Sequence, residues 1–258
     1  HLVDVAAAAP TPAAMAVVDS LAGCEPLVWV GVEGQKRCWL EQTEGYAHLL
    51  NQLARRFPRL GVVFDGWTLP FTPTAASREE AAKDRRIAEA IAARLAPGIS
   101  WASVIGENGS TKVAVARHIR FFIANFASGS MVVSRFLGKP GFAHLSNALA
   151  DHTLRGEIQI HPNPHVHLLP RAAVNDAPPQ ASVWTRVLRR VRGRPETGPL
   201  SEAGAVSYHI DPARFWDFIA PRLDGVLANQ PADQLTLFLE PSFSIHPDVR
   251  HAVKMASH

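Results

Sequence analysis

The amino-acid sequence predicts an α/β fold: a doubly wound parallel sheet of five to six strands with a helical C-terminal appendage. Two observations lead to this fold class. Short, continuous apolar runs recur through the first half of the chain, and runs of this length are typical of strands buried on both faces of a sheet. Between them lie segments whose apolar residues fall on one helical face, so strand and helix patterns alternate as in a Rossmann-like sheet.

Five apolar runs define the predicted strands. The fourth run stops at Asn125 and is followed at once by small residues, which indicates a strand that ends in a tight turn. A sixth strand is predicted at residues 155–160. The five clear runs cover residues 27–32, 61–64, 101–105, 119–125 and 140–145.

Capping residues set the predicted helix boundaries. Thr11 before Pro12 predicts the start of the first helix, since Thr is a favoured N-cap and Pro a favoured first residue. Ser77 with Glu80 three residues later predicts a capping box at the start of the third. The predicted helices cover residues 13–21, 43–57, 77–95, 108–117 or 110–117, 128–137 and 211–227.

These patterns divide the chain into four parts. An N-terminal helix or linker covers residues 1–23, and the Rossmann-like domain covers residues 24–170. Residues 171–204 are rich in Pro, Gly and Arg, which predicts an irregular excursion. Residues 205–258 form the predicted C-terminal helical segment.

Composition restricts the class of protein. Of 258 residues, 47% are hydrophobic, which is enough for a core, and the net charge of only +3 argues against a general nucleic-acid binder. Two cysteines do not make a disulfide framework and favour a reducing compartment. Because no apolar run reaches about 18 residues and no signal-peptide pattern is present, we expect a cytoplasmic protein.

The turn after the fourth predicted strand is the first candidate site. Its small residues would let a ligand approach the backbone, and the next helix would begin there with unpaired N–H groups. At the carboxyl edge of a parallel sheet this pattern predicts a diphosphate site. The alternative is that small residues only pack a strand-to-helix turn. The residues of this candidate are Ser128, Gly129, Ser130 and Met131.

Lys36 and Arg37 follow the first predicted strand and form the second candidate. They would lie at the same edge of the sheet, where two cations could neutralise a leaving diphosphate. The alternative is a solvated basic loop.

The loop after the third predicted strand is the third candidate. Its carboxylate could accept hydrogen bonds from ribose or base hydroxyls, and Thr111 and Lys112 could contact phosphate. The spacing is not that of a Walker motif, and the alternative is a capped turn. The nucleoside candidates are Gly106, Glu107, Asn108, Ser110 and Thr111.

Histidines occur close to the predicted strand ends. His161, His165 and His167 have ligand-like spacing, but no cysteine or nearby carboxylate completes a tetrahedral set, so no metal site is predicted. We predict instead that Asn125, His144 and His161 lie at the edge of the cleft; for His144 a buried, hydrogen-bonded histidine is the alternative.

Residues 184–194, from Trp184 to Arg194, combine five arginines with a single apolar stripe. This pattern is typical of an interfacial helix that touches anionic lipid or a lipid-linked acceptor. The alternative is a surface helix packed on the sheet.

Taken in order, the motifs of residues 24–146 resemble the C-terminal half of GT-B glycosyltransferases, and within them the bacterial heptosyltransferase family. The family's Ser-Gly-x-Met turn and Leu-Gly-x-Pro strand entry correspond to residues 128–131 and 137–140 here. Ala127 replaces the family's acidic residue, and Val132 replaces its histidine, so the donor sugar stays open.

The resemblance implies a glycosyltransferase that moves a sugar from a nucleotide-sugar to a glycan or lipid-linked acceptor, as in bacterial surface polysaccharide synthesis. It places the diphosphate at residues 128–131 beside Lys36 and Arg37, and the nucleoside near residues 106–111. It implies no required cofactor, a cytoplasmic location with the inner membrane as a possible peripheral contact, and no identified catalytic base. The alternatives are a nucleotide-sugar epimerase and a non-catalytic binding module; a dehydrogenase is disfavoured because no Gly-x-Gly-x-x-Gly follows the first strand.

Overall fold

A six-stranded parallel sheet forms the centre of the structure, a computed structural model that describes residues 10–35, 37–126, 129–154, 163–177 and 206–229. The spatial order of the strands is β3-β2-β1-β4-β5-β6. The order reverses between β1 and β4, and ligands of doubly wound sheets bind where it reverses. The strands are β1 (Leu27–Gly31), β2 (Gly61–Asp65), β3 (Ser100–Ser103), β4 (Phe121–Asn125), β5 (Gly141–His144) and β6 (Val166–Leu168).

Helices follow the strands and cover both faces of this sheet. A π-helix at Met131–Phe136 follows β4, and short 3₁₀ turns occupy Arg171–Ala173 and Ala220–Arg222. The α-helices are α1 (Pro12–Ser20), α2 (Gln42–Arg56), α3 (Ala75–Ala92), α4 (Gly109–Ala116), α5 (Asn147–Leu154), α6 (Pro212–Ile219) and α7 (Leu223–Ala228).

The predicted fold class is confirmed, and all five clear strands are found within about two residues of their predicted ends. The predicted strand at residues 155–160 lies outside the described residues, and the sixth strand of the sheet is β6.

Three predicted helix boundaries are wrong. Helix α3 begins at Ala75 because Thr74, not Ser77, is its N-cap: the two side chains each accept from the other's backbone N–H in a capping box. The helix after β4 begins at Met131 and is a π-helix. The helix predicted at residues 211–227 is two helices, because Pro221 falls in the 3₁₀ turn between them.

Alternation along β1 divides the core into two layers. Val28 and Val30 pack with residues of α2, α3 and α6, whereas Trp29 packs on the other face with residues of α1 and α4. Successive side chains of a strand point to opposite faces, so a continuous apolar run buries both. Each fully buried valine contributes on the order of 1.5–3 kcal/mol.

The C-terminal part that the structure describes packs into the first of these layers. It begins with a strand rather than a helix: β8 (Tyr208–Ile210) pairs antiparallel with β7 (Val174–Asp176). Tyr208 and Phe215 are fully buried in the same cluster as Val28 and Val30. None of the described helices combines the length and the apolar character needed to cross a membrane.

Trp39 fixes this C-terminal part against α2. Its indole Nε1 donates to the carbonyl of Ile210 at 3.0 Å, and its ring lies directly on Gly45 of α2. A Cβ atom at Gly45 would lie 2.0 Å from the ring, so no larger residue fits. By contrast, apart from its own helix backbone and chain neighbours, no atom of the described residues lies within 4 Å of a Cβ added at Gly225 of α7.

We predict opposite effects of the same substitution at these two helical glycines. Gly225→Ala should raise the free energy of unfolding by up to about 1 kcal/mol, because alanine is the better helix former. Gly45→Ala should lower it by about 1–3 kcal/mol through overpacking against Trp39. Urea unfolding measures both, and a stabilised Gly45→Ala protein would contradict the packing described.

Candidate functional site

A cleft of about 390 Å³ opens at the carboxyl edge of the sheet, over the switch point. We call it the switch-point cleft. Its walls come from the loop after β1, the loop after β2 and the segment after β4. The lining residues are Val32, Glu33, Gly34, Gln35, Arg37, Asp65, Gly66, Trp67, Thr68, Asp84, Gly129, Met131 and Val132.

Two of the three predicted sites meet in this cleft. Arg37, from the loop after β1, and Gly129 and Met131, from the segment after β4, all line it. Gly31 lets the turn after β4 lie against the end of β1. A Cβ at Gly31 would lie 2.8 Å from the Cβ of Ala124 and 2.9 Å from the carbonyl oxygen of Gly129. The turn after β4 therefore rests directly on the end of β1.

Arg37 brings a cation to the cleft in a constrained backbone conformation. Its φ of 60° lies in the left-handed region, which non-glycine residues rarely adopt. Neighbouring contacts hold it there: its carbonyl accepts from Asn125 Nδ2 at 3.1 Å, and the carbonyl of Cys38 accepts from the Tyr208 N–H at 3.0 Å. Among the described residues, the buried Nε of Arg37 has no hydrogen-bond partner. Strain of this kind, held in place by its surroundings, is characteristic of binding sites.

Asp84 of α3 fastens two walls of the cleft together. Its Oδ1 accepts from the Gly34 N–H at 2.8 Å, and its Oδ2 accepts from the Trp67 N–H at 2.6 Å. Burial raises the pKa of this carboxyl, while the two N–H donors oppose the rise. Gly34 and Gly66 must be glycines here, because a Cβ on either would lie less than 3 Å from an Asp84 oxygen.

Asp65 ends β2 and carries the second buried carboxylate of the cleft. Lys112 Nζ lies 2.5 Å from Asp65 Oδ1 and donates to the Gly66 carbonyl at 2.7 Å. Burial raises the pKa of Asp65, and the Lys112 charge offsets part of that rise. The Lys112 side chain is fully buried, so the predicted contact of Lys112 with phosphate is wrong for this arrangement.

The predicted nucleoside residues do not line the switch-point cleft. Asn108 caps α4 by accepting from the Thr111 N–H and the Ser110 hydroxyl. Thr111 is buried and shares a hydrogen bond of 2.9 Å with Thr11. Gly106 has a φ of +84° and packs on Arg85, and Glu107 is half-buried beside it. Their assignment to a nucleoside stays a prediction.

His144 and Asn125, predicted at the edge of the cleft, are both buried in a hydrogen-bonded chain behind it. Tyr46 Oη lies 2.8 Å from the Gly31 carbonyl and 2.9 Å from His144 Nε2. His144 Nδ1 lies 2.8 Å from Tyr208 Oη, which in turn accepts from Asn125 Nδ2 at 2.8 Å.

Only one arrangement of protons satisfies this chain. The Gly31 carbonyl can only accept, so the Tyr46 hydroxyl donates to it and the Tyr46 oxygen accepts from His144 Nε2–H. His144 Nδ1 is then unprotonated and accepts from the Tyr208 hydroxyl. Burial lowers the pKa of His144 to about 3, so the imidazole is neutral at physiological pH. The interpretation of His144 as a buried, satisfied histidine fits this geometry.

The other predicted site residues divide into two groups. Ser130 is buried at the start of the π-helix, where its side chain makes no capping bond, and Met131 is exposed at the cleft. Lys36, Ser128, His161 and residues 184–194 lie outside the described residues. Within the described residues, no group of three or more His, Cys, Asp or Glu side chains could hold a metal ion.

Asp84, Trp67 and Tyr208 contribute to the site but were not predicted from the sequence. Asp84 had a detectable signal: it shares the buried face of α3 with Ala81 and Ala88, and a charged residue at such a position needs a partner. Tyr208 and Trp67 had none, because their roles depend on which distant segments the fold brings beside them.

No protein-family model matches the sequence, and no curated protein matches it. Among solved structures, the chain is similar to a glycosyl transferase family 9 protein from Veillonella parvula, with a TM-score of 0.46 and 10% identity over 85% of this chain and 53% of that chain. It is also similar to an α,α-trehalose-phosphate synthase (UDP-forming) from Burkholderia vietnamiensis, with a TM-score of 0.40 and 14% identity over 100% of this chain and 50% of that one. The chain thus spans about half the length of these structures.

Asp84→Asn should loosen both walls of the cleft. An amide keeps only one acceptor oxygen, so one of the two N–H groups faces another donor, at a cost of about 1–3 kcal/mol of unfolding free energy. Hydrogen exchange should become faster at the Gly34 or Trp67 amide. Glu89→Gln, which neutralises an exposed carboxylate of the same helix, is the control; exchange equal in both variants would refute the role of Asp84.

His144 should make the protein less stable in acid. Its folded pKa of about 3 lies below the unfolded value of 6.5, so the unfolded state binds the extra proton and stability falls as the pH drops through this interval. The contribution is at most about 1.4 kcal/mol per pH unit.

The measurement is the unfolding free energy between pH 7 and about pH 4.5. The His144→Gln variant should be less stable overall, with a shallower dependence on pH than the wild type. His118→Gln, which removes an exposed histidine, is the comparison. A slope identical in all three proteins would contradict a neutral, buried imidazole.

Proposed function

We propose that this chain binds the diphosphate of a nucleotide-sugar in the switch-point cleft, as part of a glycosyltransferase that passes the sugar to a glycan or lipid-linked acceptor. One observation carries the proposal: Arg37 and Gly129 come from loops that are about 90 residues apart, and the fold places both on one cleft above Gly31. This cation and this small-residue backbone are the two parts that a diphosphate requires.

The chemistry of the transfer makes use of both parts. As the bond between the sugar carbon and the diphosphate oxygen breaks, negative charge grows on the diphosphate. A guanidinium beside it stabilises that charge most strongly in a cleft with few water molecules. The acceptor oxygen forms the new bond to the sugar carbon, and its proton passes to a general base.

Arg37 is suited to this role because two of the three carboxylates that line the cleft already have partners of their own. Asp65 is occupied by Lys112, and Asp84 is occupied by two backbone N–H groups. Neither carboxylate therefore needs the guanidinium as a partner. Lys36, the neighbouring residue in sequence, is proposed to act beside it.

We propose that the reaction needs no cofactor, and incubation with a chelator before assay tests this. A peripheral contact with the inner membrane through residues 184–194 is likewise a proposal. Product analysis separates transfer from its alternatives: free nucleotide with a new glycoside indicates transfer, and an isomerised donor indicates an epimerase.

Arg37→Ala should weaken the binding of nucleoside diphosphates about 10- to 100-fold, the effect of losing one charge-assisted contact. Calorimetry of the full chain with ADP, GDP, UDP and CDP measures it, and Lys36→Ala should act in the same direction. Arg86→Ala removes an exposed cation on α3, outside the cleft lining, and should bind as the wild type does.

Two results would overturn the proposal. If the wild type binds none of the four nucleotides, the cleft is not a diphosphate site. If Arg37→Ala and Arg86→Ala bind the same nucleotide equally well, the diphosphate lies elsewhere.

A further inference from the structure

Resting on the proposed diphosphate site, we infer that the indole of Trp67 is the platform on which the nucleobase of the donor stacks. The sequence predicts the nucleoside at residues 106–111, after β3. The geometry points instead to the loop after β2.

Trp67 is the partly exposed tryptophan in the wall of the cleft. Its side chain is 36% exposed, whereas Trp29 and Trp39 are fully buried in the core. Trp67 lines the switch-point cleft together with the exposed Met131. An exposed indole leaves apolar surface in contact with water, which is unfavourable. A flat ligand that covers the ring buries this surface and gains free energy of binding.

The backbone beneath this indole is held from three directions. The Trp67 N–H donates to Asp84 at 2.6 Å, and the Trp67 carbonyl accepts from the Gly106 N–H at 2.8 Å. The preceding carbonyl, that of Gly66, accepts from the buried Lys112 at 2.7 Å. These hydrogen bonds fix the backbone that carries the indole. The loop therefore loses little backbone conformational entropy when a ligand binds.

These contacts also explain the predicted nucleoside loop. Gly106, which begins that loop, donates its N–H to the Trp67 carbonyl and so holds the Trp67 backbone. Lys112, later in the same segment, supports Gly66 in the same way. The segment after β3 therefore acts on the site through the loop after β2.

The lining of the cleft matches a ligand with one flat face and one anionic group. Trp67, Met131 and Val132 supply apolar surface, and Arg37 supplies the cation. A nucleoside diphosphate has both features, whereas inorganic pyrophosphate has only the second. Stacking on an aromatic ring tolerates every base, because each base has a π-face.

The test compares ligands that do and do not carry a base. Calorimetry of the full chain measures the affinity for ADP, UDP, pyrophosphate and glucose 1-phosphate. Trp67→Leu should weaken ADP and UDP binding about tenfold and leave pyrophosphate binding unchanged. Trp67→Phe should restore most of the affinity, because it restores an aromatic face.

Trp101→Leu is the matched control, since Trp101 is 43% exposed on the edge strand β3 and does not line the cleft. It should bind all four ligands as the wild type does. Arg37→Ala, in contrast, should weaken nucleotides and pyrophosphate alike.

Each other outcome overturns the inference. Equal ADP and UDP affinity in the wild type and Trp67→Leu would leave the diphosphate site standing and remove the stacking role. An equal loss of pyrophosphate binding would show that Trp67 only maintains the loop, and a loss confined to glucose 1-phosphate would assign the ring to the sugar. If the wild type binds no nucleotide, the proposed function itself fails.

Discussion

The hydrogen-bonded chain that runs from Asn125 through Tyr208, His144 and Tyr46 to the Gly31 carbonyl is the constraint on which the candidate site depends. It joins the ends of β1, β4 and β5 with α2 and with the C-terminal strand β8. Every link is buried, so each unsatisfied group would cost on the order of 1–3 kcal/mol. The chain therefore holds five distant segments in one arrangement.

The hydrogen-bonded chain is connected to the candidate ligand site through the backbone of Arg37. Asn125 Nδ2 donates to both Tyr208 Oη and the Arg37 carbonyl. The residue that carries the cation is thus held in its left-handed conformation by the same amide that completes the chain. The C-terminal strand contributes to this position, because the Tyr208 N–H donates to the carbonyl of Cys38, the residue after Arg37.

The sequence was sufficient where local chemistry decides the structure. Continuous apolar runs predicted β1, β2 and β4, because a strand buried on both faces needs no partner information. Thr11 caps its helix as predicted, and Asn108 is the cap of α4 where the sequence left Asn108 and Ser110 open, since capping is local. Small residues after β4 were predicted to admit a ligand, and that stays a prediction; the close contact in the structure is between Gly129 and Gly31, as in the alternative of a packed turn.

Long-range partners could not be predicted in this way. Lys112 was predicted to contact phosphate because it follows a polar loop. In the structure its ammonium group pairs with the carboxylate of Asp65, 47 positions earlier in the sequence. Tyr208 falls in a segment predicted as helical, and nothing in its neighbourhood indicates a hydrogen bond with His144. Such residues are polar groups whose partners are set by the topology of the sheet.

The charged residues that line the cleft do not, when merely counted, indicate the sign of the ligand that the cleft binds. Glu33, Asp65 and Asp84 line the cleft against the single described cation Arg37, which would suggest a site for cations rather than for a diphosphate. Two of these carboxylates are committed elsewhere, Asp65 to Lys112 and Asp84 to two backbone amides, and burial raises the pKa of both. An anion entering the cleft therefore meets the guanidinium of Arg37, the backbone of Gly129 and one carboxylate, that of Glu33, while Asp65 and Asp84 hold the walls in place.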